Sequence, residues 1–176
     1  MSELRKADFD VVFFITLTVV DWIDVFSRHE YVQLLVNNLQ FCQQNKGLEI
    51  YAYVIMTNHL HMVASQQEGR LNDVLANFKS YTAKCILAAI DANPKESRKD
   101  WLLYMFRFNA KLKRQFQHYH FWQVTNHATP LTSPGILMQK INYVHQNPVR
   151  AGYVLEAEHW QYSSANAFSP VRVMEV

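Results

Sequence analysis

Apolar and polar positions alternate over residues 10–20. Phe13, Ile15, Leu17 and Val19 fall on one side, Phe14, Thr16 and Thr18 on the other, and this period of two predicts a β-strand. From Ser27 the period lengthens. Ser27 and Glu30 have the spacing of a capping box, and Val32, Leu35, Val36, Leu39 and Cys42 then recur at helical intervals until Gly47. Residues 51–64 return to strand spacing, interrupted at Thr57-Asn58, which predicts two strands joined by a tight turn. A second helical stripe comprises Leu75, Phe78, Thr82, Cys85, Ile86 and Ala89. It is expected to start with Asn72 as N-cap and to stop before Pro94.

Residues 95–100 read as a charged loop. The next stretch, 101–117, fits an exposed basic helix or a loop, and 116–125 reads as a further strand. Ser133-Pro134-Gly135 opens a last helix, with Ser as N-cap and Pro in the first turn. Its apolar stripe is Leu137, Ile141 and Val144. Gln139, Tyr143 and Asn147 recur every fourth residue on the opposite face, and Pro148 ends or kinks the helix. The tail, 151–168, is irregular, with Trp160, Tyr162 and Phe168 available to pack back on the body.

Strand–helix–strand–strand–helix–strand is the order of an α+β, ferredoxin-like (RRM-like) sandwich, with one antiparallel sheet and here an added C-terminal helix. No repeat, low-complexity tract or Gly/Ser linker divides residues 1–176, so a single domain is expected. If the last helix lies over the sheet face that carries His59 and His61, its polar stripe meets them.

Composition changes this picture little. At 49% hydrophobic and 14% aromatic residues the chain has the material for a packed core rather than a disordered coil. Its longest apolar run, 11–17 with Val19 and Val20 beyond Thr18, is too short to span a bilayer, so no membrane partner is expected. Glu3, Asp8 and Asp10 break the basic-then-apolar layout of a signal peptide. Cys42 and Cys85 fall in helical stripes and read as reduced core residues of a cytoplasmic protein.

Charge changes it more. The net charge of +2 conceals ten Lys/Arg against four Asp/Glu from Arg70 to Arg114, and seven against eleven elsewhere. Such a basic middle is either a solvated helix face or a surface for nucleic acid. The candidate contacts are Lys79, Arg107, Lys111, Lys113 and Arg114, the last four with no acid between them.

The candidate chemistry starts at His59-Leu60-His61. Side chains two apart on a strand share a face, so these imidazoles can chelate one metal ion. Taken alone, such a pair is a weak signal and more often marks two surface or hydrogen-bonded histidines. His118-Tyr119-His120 repeats the spacing without a tight turn before it and reads as exposed or DNA-facing. His145 points off the polar stripe and reads as structural. Tyr81, near Lys79 and Lys84, reads as packing at a helix surface.

Three stretches give the pair its context. They are Tyr51-Ala52-Tyr53-Val54-Ile55-Met56-Thr57-Asn58-His59-Leu60-His61, then Phe121-Trp122-Gln123 with Asn126-His127. The third is Tyr143-Val144-His145-Gln146-Asn147-Pro148-Val149-Arg150-Ala151-Gly152-Tyr153-Val154, followed by Tyr162-Ser163-Ser164-Ala165. Together they resemble the single-tyrosine HUH transposases, and within them the REP-associated tyrosine transposases, over nearly the whole chain. Thr57 and Ala128 stand where relatives often carry Pro; the first alters the turn but not the ligands.

The resemblance implies that His59, His61 and Asn147 hold a divalent metal ion, Mg2+ or Mn2+, and that Tyr143 is the nucleophile. It implies a transposase that cleaves and rejoins single-stranded DNA through a 5′-phosphotyrosine, at palindromic hairpin elements, in the cytoplasm and associated with the nucleoid. Relatives include dimers as well as monomers, so a homodimer is one expectation. A free phenol, with a pKa of roughly 10, is a poor nucleophile at neutral pH without such help. Two other readings compete: a hairpin-binding protein without catalysis, and a metal-dependent phosphohydrolase in which water attacks.

Overall fold

The computed structural model describes residues 11–113, 115 and 118–176. Its elements are β1 (Phe13–Thr18), α1 (His29–Lys46), β2 (Leu48–Ile55), β3 (His59–Gln66), α2 (Leu71–Ala92), α3 (Lys99–Lys111), β4 (Thr129–Pro130) and α4 (Pro134–Arg150). Among the described residues the strands form one sheet in the order β2-β3-β1-β4, with each neighbouring pair antiparallel. β1 and β3 take the centre, as the split β-α-β pattern requires. The fold is the expected α+β sandwich.

Strand alternation divides the sheet into two faces. Ile15, Leu17, Ile50, Tyr53, Leu60 and Met62 join the larger core, with Leu35, Leu39, Phe78 and Ile86 of α1 and α2. Ala52, Val54 and Val63 face the other way and join Ile141 and Val144 of α4 in a smaller core. Thus α4 covers the face opposite α1 and α2. Its first turn forms as the sequence predicts: the Ser133 hydroxyl accepts from Ile136 N–H at 3.3 Å, and Pro134 is the first helical residue. Pro148 lies inside the helix, which continues to Arg150.

Several boundaries differ from expectation. The Ser27–Glu30 capping box does not form. Ser27 donates to Asp24 O (3.3 Å), Glu30 accepts from Asn93 (3.1 Å), and α1 starts at His29. Gly47 closes α1 as expected, with φ 68° in the left-handed region that glycine enters freely. Asn72 is within α2 rather than its cap. Residues 101–111 belong to a helix, α3, which buries Leu102, Leu103 and Phe106.

The strand expected over 116–125 is an irregular edge instead; residues 116 and 117 lie outside the described ones. The chain follows β1 through single bonds: Val20 N–H to Phe121 O (2.9 Å), Gln123 N–H to Thr18 O (2.8 Å) and Thr16 N–H to Asn126 O (3.0 Å). His127, at φ 43°, breaks the ladder, and pairing resumes only at Thr129–Pro130. The tail covers the opposite edge. Ile55 N–H donates to Tyr162 O (2.9 Å), Ser164 N–H to Tyr53 O (3.0 Å) and Met174 N–H to Ile50 O (2.8 Å), so β2 presents no long free edge. Trp160 and Tyr162 pack back as expected, whereas Phe168 is 92% exposed.

Candidate active site

β3 opens with His59, and its register sets His61 opposite Thr16 and His59 opposite Thr18 on β1. Because side chains alternate, both imidazoles face α4, with ring centroids 4.6 Å apart. Each ring has one nitrogen engaged. His61 Nδ1 is 2.8 Å from Thr16 Oγ1, and His59 Nδ1 is 2.7 Å from Asn58 Oδ1.

Helix α4 delivers the other two residues. Tyr143 sets its ring edge-on to His61, with centroids 5.5 Å apart, and Asn147, one turn later, comes beside His59. Phe14 packs behind, stacked on His61 at 5.4 Å and edge-on to Tyr143 at 5.6 Å. Trp22 closes the outer side, edge-on to His59 at 5.7 Å. The sequence-predicted set of His59, His61, Tyr143 and Asn147 is therefore one cluster.

The electrostatics of the cluster follow from its burial. Burial pushes His61 down to about 3, helped by His59 and Lys140. Burial also lowers His59, while Asn147 and Asp24 pull it back up. Both rings are thus held neutral, the form in which a histidine binds metal.

Two cations missed by sequence reasoning lie beside the tyrosine ring. Lys140 Nζ lies 5.4 Å from the Tyr143 ring centroid and the Arg150 guanidinium 5.3 Å from it. Their positions on α4, three before and seven after Tyr143, are the helical spacing that could have revealed them. Asn58 and Asp24 were also missed; the polarity of the turn signals Asn58, whereas Asp24 lies after β1 and meets the turn only in the fold.

The candidate DNA contacts lie elsewhere. Lys111 and Lys113 are exposed at the end of α3. Arg107 is exposed but holds Tyr119 Oη through Nε (3.1 Å) and Nη2 (2.8 Å). Arg114 lies outside the described residues. Lys79 differs from expectation: its ammonium donates inward to Gln123 O (2.7 Å), Val124 O (3.0 Å) and Asn126 Oδ1 (2.9 Å), which uses all three of its hydrogens. Burial lowers it to about 8.

Asn109 ties α3 to the site's rim, donating to Asp21 Oδ2 at 2.7 Å beside Trp22. His118 lies by α2 and is exposed, but His120 is 3% exposed beneath α3, so the reading of both as outward-facing is corrected for His120. The aromatic lining of this segment, Phe106 against Phe121 at 4.8 Å, turns it inward. His145 Nε2 bonds Ser164 Oγ (2.9 Å), a link between α4 and the tail. Tyr81 is 59% exposed on α2.

The sequence matches no family model and no curated protein. Among solved structures, the chain is similar to a REP-associated tyrosine transposase bound to a REP hairpin, with a TM-score of 0.63 over 94% of this chain and 88% of that one. The two share this fold. Their sequence identity is 15%, so the likeness speaks for the architecture, and the chemistry rests on the residues above. No helix among the described residues is long and apolar enough to cross a membrane.

Proposed function

We propose that this chain is a DNA transposase that cleaves and rejoins single strands at palindromic hairpin elements, with Tyr143 as nucleophile. The observation that carries the reading is the packing of Tyr143 against His61, whose ring meets that of His59, by a helix that also brings Asn147 beside His59. The hairpin bound by the structural neighbour supports DNA of that shape as the partner.

The donor set fits a divalent ion. With each Nδ1 engaged, His59 and His61 keep Nε2 for coordination, and the Asn147 amide oxygen is the third donor. Two imidazoles with one oxygen suit Mn2+ at least as well as Mg2+. When bound, such an ion would polarise the scissile phosphate and neutralise its developing charge.

The chain's own residues do the rest. Tyr143 Oη attacks phosphorus and loses its proton, the P–O3′ bond breaks, and the departing oxygen takes up a proton to become a 3′-hydroxyl. The 5′ end remains on Tyr143 as a phosphotyrosine, so attack by a 3′-hydroxyl reverses the step without ATP. Lys140 and Arg150, both beside the Tyr143 ring, hold the phosphate near Oη.

The test is cleavage of palindromic single-stranded oligonucleotides with Mn2+. Tyr143→Phe should bind hairpin DNA yet neither cleave it nor form an adduct, at any metal concentration. His59→Ala should cleave slowly and recover partly in excess Mn2+, because a weakened site can be refilled. Tyr143→Phe that cleaves at the wild-type rate would instead indicate water as nucleophile. No cleavage by wild type would favour a hairpin-binding role.

A further inference from the structure

The turn that carries His59 is held by a chain of hydrogen bonds that the proposed chemistry does not use. Asp24 Oδ1 accepts from the Thr57 hydroxyl (2.5 Å) and from Asn58 Nδ2 (2.9 Å). Asn58 Nδ2 also donates to Trp22 O at 3.2 Å. Both amide hydrogens are therefore directed at acceptors. Turning the amide round would set its oxygen against a carboxylate and a carbonyl, three acceptors with no hydrogen among them.

The orientation of Asn58 thus follows from its surroundings, and it leaves Oδ1 facing His59 Nδ1 at 2.7 Å. An amide oxygen only accepts, so the hydrogen of this bond sits on Nδ1. A neutral imidazole with its hydrogen on Nδ1 carries its lone pair on Nε2. Histidine in water favours the opposite tautomer, so the turn works against the ring's own preference. The Thr57 hydroxyl, 3.3 Å from Tyr153 Oη, further ties the turn to the chain just beyond α4.

We propose that Asp24, Thr57 and Asn58 are positioning residues that hold His59 in its Nδ1–H tautomer, which puts its lone pair on Nε2 in the cluster with His61 and Asn147. Asp24 fixes the amide, the amide fixes the ring, and Thr57 fixes the carboxylate. The proposal depends on the transposase reading only for what the lone pair is used for.

Long-range proton–nitrogen correlation spectra of the histidine rings, recorded on the metal-free full chain, report the tautomer directly, with His59→Gln supplying the assignment. The wild-type protein should show His59 as Nδ1–H. Asn58→Ala and, separately, Asp24→Ala should shift it toward Nε2–H while the signals of His61, held by Thr16, stay in place. Mn2+ titration followed by electron paramagnetic resonance should show binding weaker by about 10- to 100-fold in both variants. An Nε2–H tautomer in the wild type overturns the proposal, and this result requires no variant to fold. Folded variants that keep Nδ1–H overturn it as well. A tautomer that shifts as expected in a wild-type background that binds no Mn2+ supports the relay and overturns the metal reading instead.

Discussion

His61 packs between Phe14 and Tyr143, and this low-dielectric setting decides its protonation state. Its folded pKa is near 3 against an ordinary 6.5. Once unfolded it returns to water and takes up a proton as the pH falls through about 6.5. Below that point the unfolded chain binds more protons than the folded one, so stability present above it is lost progressively as the pH drops toward 3. One such group contributes a slope of up to about 1.4 kcal/mol per pH unit. Urea unfolding of the metal-free protein from about pH 7 to about pH 5 should therefore show a steeper loss for wild type than for His61→Gln. Equal slopes would mean that water reaches the ring.

At the scale of elements, the stretches with a strong period were legible and those held by long-range bonds were not. The stripe of α1 and the alternation of β1 and β3 are local, and alternation alone places His59 and His61 on one face. The polar stripe of α4 predicted that Tyr143 and Asn147 would arrive together. The β4 edge was not legible, because what shapes residues 121–131 is an ammonium on another element: Lys79 of α2 gathers three oxygens from residues 123–126. A lysine in a basic segment gives no local sign that it points inward. Likewise Ser27 had a capping partner at the right spacing, but Asp24 and Asn93 took the two groups. Lys79→Met should then leave those oxygens without their donor and lower the unfolding free energy by about 2–3 kcal/mol in a denaturant titration. Its DNA affinity should keep the wild-type salt dependence. A flattened salt dependence with unchanged stability would contradict the inward assignment.

Across the whole molecule, charge and chemistry sit on different layers. The histidine–tyrosine cluster lies between the sheet and α4, while the basic residues Arg107, Lys111 and Lys113 are on or just beyond α3, which packs with α2. The Asn109–Asp21 bond links α3 to the segment that carries Trp22 beside His59, and the transposase reading makes this rim the route of the DNA strand. Phosphate contacts release counterions, and each one lost flattens the dependence of log K on log salt by about 0.7 for a single strand. Replacing Arg107, Lys111, Lys113 and Arg114 together with Ala should flatten it by about 1.4 or more, equivalent to two contacts. An unchanged slope would make the cluster solvated surface.

The proposed reaction joins Tyr143 covalently to DNA, and a tryptic digest reads that bond. Trypsin cuts after Lys140 and Arg150, releasing a peptide whose sole tyrosine is Tyr143. After incubation of the wild-type protein with a hairpin oligonucleotide and Mn2+, mass spectrometry of the digest should find the nucleotide mass on that peptide. Nucleotide mass on a peptide containing Tyr81 or Tyr119, or cleaved DNA with no modified peptide, would show that Tyr143 is not the nucleophile.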